Sequence, residues 1–271
     1  MNADLARLSL NQATCEHATL AEAIAACVAN GVPQIGVWRH KLDGESEETW
    51  GARIRDAGLR CSSLCRGGMF PAATAEERRR HIEDNLKAID QAVGLGTDVL
   101  VLVCGGQGGC DLDSARAMVL DGIAAIAHHA KKCGMRLAIE PLHPMFTADR
   151  SVIVTLEQAN NICDKLDLDH VGIAIDVYHV WWDPNVYREI ARARGRILGF
   201  HVNDWIAPPP EVLRGRGMMG DGVIELKRLR AAVEQAGYMG PIEVEIFNER
   251  LWSKPATEIV ERVKKAYLAV C

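Results

Sequence analysis

Four residues stand where a β-rich apolar run should not carry charge. Glu140 ends LAIE, Asp176 ends GIAID, His201 lies in LGFHVND and Glu245 lies in IEVEIF. A carboxylate in the middle of such a run is costly to bury unless something pairs with it. Side chains alternate across a strand, so if these four point inward, the positions two steps below the first three are Ala138, Ala174 and Gly199. Small residues there leave room beneath a site. The fourth run differs, because Glu243 shares the parity of Glu245; either it supports the site from below or the other face is the inward one. Three carboxylates and one imidazole suit a hard or borderline divalent ion, Mn2+, Mg2+ or Co2+, and Zn2+ is compatible. A single strand Glu, Asp or His is ordinarily structural; four at the ends of four successive runs point to a metal centre.

Four chain segments can reach one ion only if they converge. Short β-rich runs alternate with amphipathic stretches from end to end, the pattern of βα units feeding a parallel sheet. Eight such strands are predicted, near 7–12, 34–38, 60–65, 98–104, 136–140, 171–177, 197–203 and 241–247. Apolar residues spaced by three and four, such as Val119, Ile123, Ile126 and Ala130, mark the helices between them. Asp111 or Asp113 is expected to open the fourth helix and Thr155 the fifth, while Gly31, Gly58, Gly94, Gly134 and Gly237 are expected at helix C-termini. Eight repeats in 271 residues, with no linker, predict a single-domain (β/α)8 TIM barrel over residues 1–271. In that fold the last inward residue of each strand sits at the C-terminal mouth, where these enzymes work.

The rival doubly wound sheet wants GxGxxG after its first strand, and here that strand runs into NQATCEH. The stretch Gly105-Gly106-Gln107-Gly108-Gly109 has neither that spacing nor a Walker lysine and is expected to be a flexible active-site loop. A net charge of −5 gives no basic field for nucleic acid or anionic membrane. Nine scattered cysteines without a CxxC pair, and no apolar N-terminal segment or long apolar span, predict a cytoplasmic protein with reduced thiols and small ligands.

The motifs AIEPLHP, DVYHVWWDP, GFHVND, GDG at 220–222 and VEIFNE, in this order and at strand ends, resemble the xylose-isomerase-like TIM-barrel superfamily. That group contains sugar epimerases, inosose and hydroxypyruvate isomerases and endonuclease IV. The resemblance implies that Glu140, Asp176, His201 and Glu245 bind the metal and that Glu140 and Glu245 also move protons. It implies that His179 contacts a substrate oxygen or, as in the nuclease branch, another metal, and that Arg216 binds substrate hydroxyls or phosphate. Tagatose-type epimerases carry an acid six residues after the first metal glutamate, where this chain has Phe146. The same loop instead offers His143, Asp149 and Arg150, with His143 expected to touch a differently shaped or charged substrate.

The expected chemistry is proton abstraction next to a carbonyl, with the ion stabilising the enediolate. Return of the proton to the adjacent carbon gives isomerisation; delivery by the second glutamate to the opposite face gives epimerisation. Trp38, Phe70, Trp181 or Trp182 could wall the pocket, and the tryptophan pair could equally serve a subunit contact in a dimer or tetramer. Three rivals share the fold. A lyase or dehydratase of a keto-sugar or 3-keto-glycoside would expel a β-substituent from the same enolate. An endonuclease IV-type enzyme would need histidines after the third and fourth strands, where CRGG and CGGQGG stand. A non-catalytic sugar-binding barrel would have no need of both Glu140 and Glu245.

Overall fold

The computed structural model describes residues 5–271. Eight parallel strands close into a barrel: β1 (Leu8–Asn11), β2 (Gln34–Trp38), β3 (Arg60–Gly68), β4 (Val99–Val103), β5 (Arg136–Glu140), β6 (Val171–Asp176), β7 (Ile197–Val202) and β10 (Ile242–Val244). β10 returns to pair with β1, which closes the ring. Two further strands, β8 (Asp204–Trp205) and β9 (Arg216–Gly217), form a small antiparallel ribbon above β7. No helix among the described residues is long and apolar enough to cross a membrane.

The apolar pattern divides into two layers. Leu8, Leu10, Ile35, Leu100, Leu102, Leu137, Ile139, Ile173 and Ile175 face outward from the strands into one large cluster with the helices, where Val119, Ile123, Ile126 and Ala130 join them. Burial of this layer is the main stabilising contribution. The barrel interior holds a separate, smaller group of Cys65, Val99, Val101, Ala138 and Ala174. Ala138 and Ala174 are therefore the small inward residues that the strand parity predicts, and Gly199 lies against Ala174 in the same interior.

The expected helix ends are largely present. Asp111 and Thr155 cap their helices by accepting from the backbone N–H groups of Ser114 and Gln158. Gly31, Gly58, Gly134 and Gly237 adopt positive φ. Gly94 does not: it lies inside the helix Ala75–Leu95, and Gly96 caps it instead. A side chain at Gly94 would meet Glu47 Cβ at 2.8 Å, so close packing between two helices accounts for that glycine.

β3 runs three residues beyond the expected 60–65, because Gly67 and Gly68 continue the pairing with β4 through a register shift. Gly68 has φ +106°, and a Cβ there would lie 1.9 Å from the carbonyl oxygen of Val103. Gly105 and Gly106 are packed rather than open, while Gly108 and Gly109 are exposed: Gly105 N–H donates to the Arg150 carbonyl at 2.9 Å, and a Cβ on Gly106 would meet the Ala148 carbonyl at 2.4 Å. Phe70, expected as a pocket wall, is buried in the outer cluster against Gly122. Because both φ and space forbid a methyl at Gly68, Gly68→Ala should destabilise the fold by at least about 3 kcal/mol, read as a shift of the urea midpoint. A midpoint unchanged from the parent would refute the close approach.

Candidate metal centre and catalytic cavity

Strand register brings the four ionisable residues together. Asp176 is level with His201 across the β6–β7 pair, and His201 is level with Glu243 across β7–β10. Glu140 is the last residue of β5, and Glu245, just past β10, donates its N–H to the Val202 carbonyl at 3.1 Å. All four side chains are buried, and one ligand-capable atom from each lies within 4.8 Å of the others.

The donor set fits a divalent ion. His201 Nδ1 approaches Glu140 Oε1 to 3.0 Å, yet neither atom is aligned in a hydrogen bond, and both are buried without another partner. Buried polar atoms are almost always satisfied, so this convergence is what ligand atoms aimed at a shared cation would show. The other ring nitrogen, Nε2, faces Glu243 Oε2 at 3.8 Å. Glu243 is fixed in turn by Asn11 Nδ2 at 3.1 Å and Ser62 Oγ at 2.8 Å. A carboxylate behind a ligating histidine is the usual means of orienting its ring, so the parity of Glu243 reflects an inward carboxylate one level below the ligands. Gly36 makes space for it: a Cβ there would stand 2.3 Å from Glu243 Oε2.

Arg216 is the main counter-charge among these residues. Its Nη1 donates to Asp176 Oδ2 at 2.7 Å and to Glu245 Oε2 at 2.9 Å, and its guanidinium lies 4.5 Å from the Tyr178 ring centroid and 4.7 Å from that of Phe247. Burial works against an ionised Asp176, but Arg216, followed by His179 and His201, brings it down to about 2. Burial dominates at Glu245, which is pushed up to about 8, with Glu140 and Asp176 adding to the rise against Arg216 and His201. At His201 burial is outweighed by Glu140 and Glu243, and the imidazole is raised to about 10.

His179 is lowered by burial to about 3 and is therefore neutral; its 3.7 Å approach to Asp176 is not an ion pair. Its Nδ1 accepts from the His143 backbone N–H at 3.1 Å, which leaves the ring proton on Nε2. Arg216 Nη2 lies 3.3 Å from that Nε2, so two donors face each other. An acceptor oxygen placed against both would satisfy them. The GDG segment supports this arrangement from outside: Asp204 accepts from the N–H groups of Gly220, Gly222 and Ile224, and the β8–β9 ribbon sets Arg216 opposite Trp205.

The cavity over the cluster is lined by Trp38, Glu140, Phe146, His179, Arg216 and Glu245, together with Arg66, Val101, Val103, Arg150 and Phe247. His143 is not on this lining. It serves His179 through its backbone, while its ring stacks on Trp205 at 5.2 Å and meets Trp182 edge-on at 5.6 Å. Trp181 packs toward Trp205, and Trp182 donates Nε1–H to the His179 carbonyl, so neither is a cavity wall. Phe247 and Asn203 escaped the sequence reading although parity could have found them, each lying two residues beyond a ligand. Asn203 Nδ2 donates to Asp176 Oδ1 at 2.9 Å. Arg66 carried no signal beyond its place at the end of β3.

The sequence profile described as "Xylose isomerase-like TIM barrel" matches residues 21–267. Among relatives, the L-ribulose-5-phosphate 3-epimerase UlaE of Salmonella typhi is 26% identical over 219 residues, 77% of this chain and 72% of its own. The crystal structure of protein SMc04130 from Sinorhizobium meliloti 1021 superposes with a TM-score of 0.95 at 46% identity, covering 98% of this chain and 99% of that one. The IOLI protein, described with a binding zinc atom, shares the fold at a TM-score of 0.86 and 20% identity, over 97% of each chain. The chain belongs to the xylose isomerase-like TIM barrel family.

Proposed function

We propose that the protein is a divalent-metal-dependent epimerase or isomerase of keto-sugars or their phosphates. The observation that carries this reading is the pair Glu140 and Glu245, buried in one ion-binding cluster and both exposed to the same cavity. The similarity to a 3-epimerase of a ketopentose phosphate supports the substrate class. A divalent ion held by Glu140, Asp176, His201 and Glu245, whether Mn2+, Mg2+, Co2+ or Zn2+, supplies Lewis-acid polarisation of the substrate carbonyl.

The remaining chemistry falls to side chains. One of the two glutamates takes the proton from the carbon beside the carbonyl as general base. In epimerisation the other delivers a proton to the opposite face; in isomerisation the proton returns to the neighbouring carbon. His179 Nε2–H and Arg216 Nη2–H converge on the place for a substrate oxygen. Val101, Val103, Leu142 and Phe146 give the cavity an apolar wall that keeps bulk water from the reacting carbon. A nuclease with three ions would need further ligands from β3 and β4, whose residues on the lining are Cys65, Arg66, Val101 and Val103. The nine cysteines are all free, in keeping with a reducing, cytoplasmic setting.

Two measurements test this reading. Incubating the metal-loaded protein in D2O with a panel of ketoses and ketose phosphates should place deuterium at a carbon adjacent to the carbonyl, detected by NMR. Glu245→Gln should lower that exchange by about 100-fold or more while the protein stays folded; full exchange by this variant would remove Glu245 from proton transfer. The second measurement concerns the ion. To become ligands, Glu245 must lose a proton held up to about pH 8, and His201 one held to about pH 10. Metal binding should therefore release protons. Its affinity, titrated calorimetrically into chelator-stripped protein, should climb as pH rises from 6 to 8. Glu243→Gln should weaken the ion by about 10–100-fold, and a pH-independent affinity would contradict the described ionisation states.

A further inference from the structure

Three arginines line the cavity, and only Arg216 is matched by carboxylates. Arg66 and Arg150 enter from other elements, Arg66 from the end of β3 and Arg150 from the loop after β5. Their backbones are held: the Arg66 carbonyl accepts from Arg39 Nη1 at 3.3 Å, while Arg150 donates to the Phe146 carbonyl and accepts from Gly105, each at 2.9 Å. Their guanidiniums are not. Among the described residues, neither is held by a hydrogen bond or an ion pair, and the nearest partner of Arg150 is the Phe146 face, 5.8 Å from its central carbon.

Both side chains are half-buried. Burial first, and then the charge of Arg150, with Arg39 adding to it, disfavours the charged form of Arg66. Two like charges held in one partly desolvated cavity without counter-charge are costly. A guanidinium pair of this kind is suited to an oxo-anion, which two planar forks can bind through several short, charge-assisted bonds. Arg66 also borders a second cavity, shared with Trp38 and Asp84, beside the one over Glu140 and Glu245.

We propose that Arg66 and Arg150 form an anion subsite that holds the far end of an acidic sugar, a phosphate ester or a carboxylate, while its carbonyl end lies over Glu140 and Glu245. This rests on the proposed epimerase or isomerase reading and narrows its substrate to anionic sugars. The division is geometric: Arg216 stays with its two carboxylates and the reacting oxygens, and the unmatched pair takes the charge that the substrate brings.

The test has two arms. In the first, inorganic phosphate is titrated calorimetrically into the wild-type protein, Arg66→Met/Arg150→Met, and Arg66→Lys/Arg150→Lys. Binding at about 1 mM or tighter by wild type, lost in the methionine variant and largely kept in the lysine variant, supports the subsite. No binding, or binding that survives the methionine changes, overturns it. The second arm compares deuterium incorporation from D2O into a neutral ketose, its phosphate ester and the corresponding sugar acid. Wild type should prefer one of the two anionic forms by about 100-fold in kcat/KM, and the methionine variant should lose that preference. A wild-type preference for the neutral sugar sinks the proposal. If none of the sugars exchanges, the epimerase reading fails, and the phosphate titration still decides the subsite. Circular dichroism melting of each variant separates loss of binding from loss of fold.

Discussion

The burial of four carboxylates at one end of a small barrel is the constraint around which the other features of the site are arranged. Glu140, Asp176, Glu243 and Glu245 all lie out of water, and ions in such a setting are tolerated only when paired and hydrogen-bonded. Asp176 is satisfied by Arg216, Asn203 and the Tyr178 N–H. Glu243 is satisfied by Asn11 and Ser62. Glu140 and His201 are not, and their orphaned atoms face each other across the space where an ion fits. The unpaired atoms of Glu140 and His201 are thus of the kind a cation would take up.

That arrangement depends on supports outside the strands. Arg216 belongs to a two-residue strand, and its position follows from pairing with Trp205, from its N–H on the Phe247 carbonyl and from Asn248 holding its own carbonyl. Asp204 accepts from three alternate loop amides, those of Gly220, Gly222 and Ile224, and so braces the GDG segment and the residues after it. The paired tryptophans have a comparable part: Trp182 fixes the His179 carbonyl, and His143, wedged between Trp182 and Trp205, presents the N–H that sets the His179 tautomer.

Much of this was legible in the sequence, because strand periodicity is strict. The period of two located Glu140, Asp176, His201 and Glu245 on one face, and alternation of strand and helix gave the barrel. The same rule applied one step further would have found Phe247 and Asn203. Reading failed where the cause is tertiary. Gly94 looks like a helix terminus but answers to a neighbouring helix; Phe70 looks like a cavity aromatic but fills the space above Gly122. His143 is expected to touch a substrate; its ring stacks on Trp205 and its backbone N–H donates to His179. Nothing local distinguishes a ring that faces a cavity from one sandwiched between tryptophans.

The four clustered residues come from β5, β6, β7 and the end of β10, whereas β2 and β3 deliver Trp38, Cys65 and Arg66 to the same cavity. The proposed proton-transfer pair thus stands on one arc of the barrel and part of the cavity wall on the other, with Phe146 and Arg150 reaching the same cavity from the loop after β5. The two arcs are joined by the outer apolar layer, which is indifferent to what the strand ends carry. Replacement of Trp38 or Arg66 at the ends of β2 and β3 can therefore reshape the cavity wall without touching the four clustered residues. The cluster and that part of its wall are, in this barrel, separable.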